Sequence, residues 1–375
     1  MEGIRSKGIF KMQITTWILL GMTLCRTEHS GFIFEPCGQD REYSIREYGT
    51  DGHTGKSIVF SGSADWMRSG KDELGHWREM QDLRHIALLN TRITYEQIAY
   101  VSQLKQVIDV ELSCLAEEYE VLPSAFEPLA QMQWLQRLEL PVPASFDLKS
   151  FEFIDKLKSL EHLRLNGGPV NIGTLRAIST LRELEELHLP VLIADQRTER
   201  LSWRARRIRK LTFHIVSDPE IILNSLSELA ELQDLNIGVK VLSNREISKL
   251  KEIPKLKNLE IYCDQFFIEE SGDSIGTLEK LIVSVANAEG FRSESLTQTF
   301  PSLRSVSVHT HTPIKLDIFR DHGELEEIEI SNCDPQSLIS LQTLQKLKRL
   351  VLKNPSKTLE EMAKKTLPLV EIVCE

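Results

Sequence analysis

The sequence is poor in what usually announces chemistry. Aromatic residues are only 7% of 375 positions, so any large core has to be built from aliphatic layers. No G-x-S-x-G, H-E-x-x-H or EF-hand loop occurs, and no enzyme activity, cofactor or metal is expected. The formal charge of -10 leaves no general surplus of cations, which argues against a nucleic-acid binder, because that affinity rests on clustered Lys and Arg. The six cysteines (Cys25, Cys37, Cys114, Cys263, Cys333 and Cys374) stand singly, without a CxxC. Neither a zinc ribbon nor a redox pair is indicated, and they read as small hydrophobes.

Long apolar runs are also missing. The longest candidate, Ile14 to Cys25, falls short of the roughly 20 residues that span a bilayer, so no integral span is expected. It follows Arg5, Lys7 and Lys11, and has the size of a signal-peptide h-region behind a basic n-region. No small-x-small cleavage triplet follows it. Residues 1–30 therefore admit two readings, a signal or anchor and a buried N-terminal segment, which correspond to export and to the cytoplasm.

What the chain does have is a period. The pattern L-x-x-L-x-L, with aliphatic substitutes, starts at Leu83, Val107, Leu135, Leu160, Leu184, Ile208, Leu232, Leu256, Leu278, Leu303, Leu325, Leu347 and Leu367. Successive starts are 24, 28, 25, 24, 24, 24, 24, 22, 25, 22, 22 and 20 residues apart. Within each copy the second and third apolar positions are two apart, which puts both on one face of a strand. Between copies the step becomes three or four, as at Ile98/Val101/Leu104, Leu175/Ile178/Leu181 and Ile222/Leu226/Leu229, the step of a helical turn. One such unit cannot bury its apolar side alone; stacked neighbours can.

These residues resemble the leucine-rich-repeat family, whose units run about 20–29 residues. The resemblance implies an α/β solenoid of about 13 repeats over residues 81–375. It would be curved, with a parallel concave sheet and short helices or 3₁₀ turns on the convex side. Residues 31–80 then form the N-terminal cap, with a strand at Ser57–Phe60 and Leu74/Trp77/Met80 at helical spacing. The chain departs from the family at the turn, three residues past the third apolar position, where Asn or Cys is usual. Only Cys333 fits, so other groups must satisfy the turn backbone.

Side chains between the core positions would line the concave face: Glu111, Glu139, Arg164, His188, His214, Asn236, Glu260, Tyr262, Ser307, His309 and Glu329. The expected function is a non-catalytic scaffold that holds a protein partner there. The other readings are an anchored envelope component, and a ligand-binding or enzymatic protein with its site in the N-terminal region.

Gly49-Thr-Asp-Gly-His-Thr-Gly-Lys-Ser57 imitates a phosphate loop, but the pattern needs glycine at Thr50 and a following helix, so a surface turn is expected. His162, His188 and His214 step by 26 residues against a local period of 24, which sets them on a diagonal as solvated histidines rather than metal ligands. Trp203-Arg-Ala-Arg-Arg-Ile-Arg-Lys210 is the one basic cluster, expected to meet nearby acids such as Glu199 or an acidic partner patch. The paired carboxylates Glu185-Glu186 and Glu326-Glu327 are expected to be solvated.

Overall fold

The computed structural model describes residues 43–50, 53–61, 76–89, 93–113, 123–142, 151–193, 201–215, 219–268, 274–286, 291–293 and 296–375. The apolar stretch 14–25, Cys25, Cys37, Cys114, Leu74 and Glu199 lie outside them. The chain divides into two compact units, one running to Leu192 and the other from Ile193.

The first unit opens on a hairpin, β1 (Tyr43–Thr50) and β2 (His53–Ser61), paired antiparallel with Thr50 opposite His53. The phosphate-loop look-alike is thus two strands and their connection. In the second strand Ser57 is buried and hydrogen-bonds His85 at 2.7 Å, which leaves it no role in holding a phosphate. From β2 onward all pairing in this sheet is parallel: β3 (Leu83–Leu89), β4 (Asp109–Ser113), β5 (Arg137–Val142), β6 (His162–Gly167) and, after the short β7 (Pro169–Asn171), β8 (Glu186–His188). The division between the units falls inside the three-residue β9 (Val191–Ile193).

The second unit continues in the same manner. Its strands run in the order β10 (Lys210–His214), β11 (Asp234–Leu242), β12 (Asn258–Ile268), β13 (Lys280–Val285), β15 (Ser305–Thr310), β16 (Glu327–Ile330), β17 (Arg349–Leu352) and β18 (Glu371–Cys374). The intervening β14 (Phe291–Ser293) pairs with the far end of β12.

The register explains why the sequence chose these residues. Ile58, Ile86, Val110, Leu138, Leu163 and Leu187 face one another across the first sheet, and Leu211, Leu235, Leu259, Leu281, Val306, Ile328 and Leu350 across the second. All are buried. This is the leucine-rich-repeat arrangement, and every expected copy but one falls on it. The exception is the last. Ile372 pairs with Leu350 and Cys374 with Leu352, so the strand lies two residues later than the pattern at Leu367/Val370/Ile372 suggests. Leu367 instead ends the preceding helix, its N–H donating to the Ala363 carbonyl.

Return segments are short helices and 3₁₀ turns, as expected: α1 (Tyr95–Val101), α2 (Ile172–Ile178), α3 (Glu220–Leu226), α4 (Asn244–Leu250) and α5 (Lys357–Thr366), with 3₁₀ stretches such as Pro123–Gln131 and Pro335–Thr343. Helices of seven residues are marginal on propensity alone. Capping and burial hold them. Thr94 with Gln97, and Ser243 with Glu246, form reciprocal capping boxes on α1 and α4. Ile98 and Val101, Leu175 and Ile178, and Ile222 and Leu226 are fully buried.

An aromatic cluster joins β2 to the residues around α1. Trp77, buried in the helical turn at residues 76–79, lies 5.2 Å from Phe60 and 6.1 Å from Tyr100, ring centre to ring centre. Turn backbones find partners on the neighbouring repeat: the Ala286 N–H donates to the Cys263 carbonyl, Ser331 to Val308 and Lys353 to Ile330. Cys263 and Cys333 are buried, and burial pushes their thiols up to about 12 and about 11. Cys374 is exposed, contrary to its reading as a core residue. Among the described residues no helix is long and apolar enough to cross a membrane.

Candidate functional site

Strand period places the residues between the core positions on the opposite, open face of each sheet. In the first unit the register sets Val59, Ala87, Glu111, Glu139, Arg164 and His188 in one row. In the second it sets Thr212, Asn236, Glu260, Ile282, Ser307, Glu329 and Val351 in a row. A parallel row two residues further holds His214, Gly238, Tyr262, Ser284 and His309. Every candidate position from the sequence therefore falls on an open-face row. Val59, Ala87, Ile282 and Val351 share those rows and were missed, because selection by polarity passes over apolar residues; Thr212, Gly238 and Ser284 share them too.

In the first unit the row is acidic at its centre. Glu111 and Glu139 sit side by side on adjacent strands, roughly 4.8 Å apart along the sheet. Like charges so placed destabilise a strand pair. Glu139 is held by an amide hydrogen bond from Asn166 at 2.5 Å, and His85 approaches Glu111 at 3.8 Å. Loss of hydration first, then the Glu139 and Asp109 carboxylates, push Glu111 up from its ordinary 4.5 to about 7, against the pull of Arg164.

A pH-dependent cost follows. The unfolded chain releases this proton near 4.5 and the folded chain near 7, so between those values the fold keeps a proton that the unfolded state has lost. Stability contributed by Glu111 therefore falls as pH rises through that window. The shift corresponds to roughly 3 kcal/mol unscreened. With 36% of the side chain in water, about 1 kcal/mol is expected. Glu111→Gln should raise stability by about 1 kcal/mol at pH 8 and by almost nothing at pH 4. Urea denaturation at both pH values checks this, and an equal gain at the two would refute it.

His162 and His188 lie on this face, with His162 Nδ1 3.3 Å from Glu186. Among the described residues no three His, Cys, Asp or Glu side chains are grouped as metal ligands.

In the second unit the polar row is wired together. Glu329 accepts from Ser307 at 3.2 Å and pairs with Lys353 at 3.3 Å. Glu260 accepts from the Asn236 amide at 2.7 Å and from the Tyr262 hydroxyl. His214 occupies a place a side chain would otherwise fill: a Cβ on Gly238 would stand 1.9 Å from its Nδ1. The imidazole reaches across the glycine to Tyr262, with ring centres 5.8 Å apart and planes at 43°. Burial brings the His214 pKa down to about 4, so the ring is neutral at physiological pH.

Trp203 is a core residue whose indole N–H donates to Ser225 at 3.0 Å, and its backbone N–H donates to Glu228. The cations around it are exposed, and Arg209 lies near enough to Glu231 to favour its carboxylate. Glu326 and Glu327 are ion-paired with Lys348 and Arg349 in the next repeat rather than merely solvated.

In comparison with solved structures, the chain is similar to an internalin from Listeria monocytogenes str. 4b F2365. The identity is 13% over 80% of this chain and 77% of that one, with a TM-score of 0.41. It is also similar to TLR13 in a complex with ssRNA13, at 13% identity over 82% of this chain and 56% of that one, TM-score 0.40. A third is the LRR ectodomain of the membrane receptor kinase GASSHO1/SCHENGEN3 from Arabidopsis thaliana, crystallised with CASPARIAN STRIP INTEGRITY FACTOR 2. There the identity is 14% over 83% and 42% of the two chains, and the TM-score is 0.38. No protein-family model matches the sequence, and neither does any curated protein. The assignment of the fold rests on the strand ladders.

Proposed function

We propose that this leucine-rich-repeat chain is a non-catalytic scaffold that holds a protein partner on the open face of its sheet. One observation carries the reading: side chains of that face are fixed by strand register into rows of mixed charge, roughly 4.8 Å from strand to strand. Rows on hydrogen-bonded strands lose little freedom on binding, which favours recognition of an extended surface over a small molecule.

The test is site-specific photocrosslinking in cells. A photoreactive residue at Asn236 or His309 is expected to give discrete protein adducts, and Ser284→Arg, at a partly exposed position of the neighbouring row, should abolish those made from Asn236. Photoreactive residues on the exposed side of α5, such as at Glu361, should give none of the same adducts. Identical adducts from both sides, or adducts indifferent to Ser284→Arg, would refute the assignment.

A further inference from the structure

Glu260 differs from the other carboxylates of the second unit's open face. Glu329 has its cation in Lys353, and Glu327 has Arg349. Among the described residues no Lys or Arg pairs with Glu260. The carboxylate is nonetheless held in place by two neutral donors, the Asn236 amide and the Tyr262 hydroxyl. Beside it the Asn236 carbonyl oxygen is buried without a donor, a costly arrangement for an acceptor. Two rings complete the surroundings. His214 and Tyr262 incline towards each other over the bare backbone of Gly238, forming a shallow aromatic seat one row from the carboxylate. The neutral imidazole presents no charge that would repel a cation.

Negative charge without a counterion and an aromatic face beside it make up the chemistry that recognises a cationic side chain. From this geometry we infer that Asn236, Glu260, Tyr262 and His214 form a cradle for an arginine or lysine side chain of the partner. The inference rests on the open-face reading above and specifies what the partner must present there: a basic residue set in a strand or loop that follows the row. Arginine is the better fit, because its planar guanidinium can stack on Tyr262 while donating to Glu260.

The experiment titrates the full chain with Nα-acetyl-L-arginine amide at low ionic strength, following the ring signals of labelled tyrosine by NMR. Tyr262→Phe assigns the signal. A saturable shift of the Tyr262 ring is expected, with a Kd that is roughly millimolar for so small a ligand. The neutral analogue Nα-acetyl-L-glutamine amide should give no such shift. Glu260→Gln should weaken arginine binding by about 10-fold, whereas Glu361→Gln, which removes the same charge far along the chain on α5, should leave it unchanged. Equal shifts with the glutamine analogue, or equal weakening by both substitutions, would overturn the cradle. Loss of the cradle alone, with Ser284→Arg still abolishing the crosslinked adducts, would leave the open-face scaffold standing. Loss of both would remove the scaffold reading as well.

Discussion

Alanine in place of Trp203 is expected to lower stability by about 4 kcal/mol, while phenylalanine at the same site costs about 1 kcal/mol. Trp203 is 2% exposed and is among the largest fully enclosed side chains of the second unit. It packs against α3, where its indole N–H is satisfied by Ser225, itself completely buried. Alanine leaves a cavity and strands the Ser225 hydroxyl, which also donates to the Ile222 carbonyl. Phenylalanine keeps most of the volume and forfeits only one hydrogen bond. Because each repeat touches chiefly its neighbours, the damage should be local. Amide exchange is expected to quicken first in β10 and β11, with little change in β16 and β17. Circular-dichroism-monitored urea melts give the two costs. A loss below 1 kcal/mol for alanine, or an effect spread evenly over the unit, would contradict this account.

Valine at Gly238 is expected to cost about 2 kcal/mol, and the cost should vanish when His214 is alanine. A β-branched residue ordinarily improves a strand, and glycine ordinarily weakens one. Here the sign is reversed by one neighbour. The new Cβ would stand 1.9 Å from the His214 Nδ1 and 2.7 Å from its Cγ, so the imidazole must leave its seat beside Tyr262. In a His214→Ala chain nothing opposes the side chain, and Gly238→Val should then be neutral or stabilising. A four-member mutant cycle measured by urea denaturation decides it. Additive costs would mean that glycine is retained at 238 for some reason other than this ring.

These two sites show where a sequence stops being legible. The core ladder could be read because its spacing is fixed by strand geometry: apolar residues two apart, repeated every 22 to 28 positions, have few other ways to be buried together. The same rule located the open face, since whatever stands between two core positions must point the other way. It misplaced the final strand because Leu367, Val370 and Ile372 carry the right spacing two residues too early. Only the helix running through Thr366 and the pairing of Ile372 with Leu350 reveal the shift. Contacts between rows were beyond reach as well. Nothing in the letters says that Gly238 is a seat for His214, that Glu260 takes two neutral donors, or that Trp203 belongs to the core rather than to its basic neighbours. Each depends on side-chain direction across strands, which spacing within one strand does not encode.

The ion pairs between consecutive repeats have a consequence for how the array assembles. Glu231 meets Lys255, Lys257 meets Glu279, Glu324 meets Lys346 and Glu326 meets Lys348, each partner coming from the adjacent copy. Exposed pairs of this kind add little to stability. They do, however, make neighbouring units non-interchangeable. A duplicated unit would set Glu324 against a second Glu324, and Glu326 against a second Glu326. Slippage by one whole unit, a characteristic error of tandem arrays, would bring like charges face to face in the same way. The alternation of signs thus serves as an address that gives each copy one correct pair of neighbours, even though the hydrophobic spine beneath is nearly identical from copy to copy.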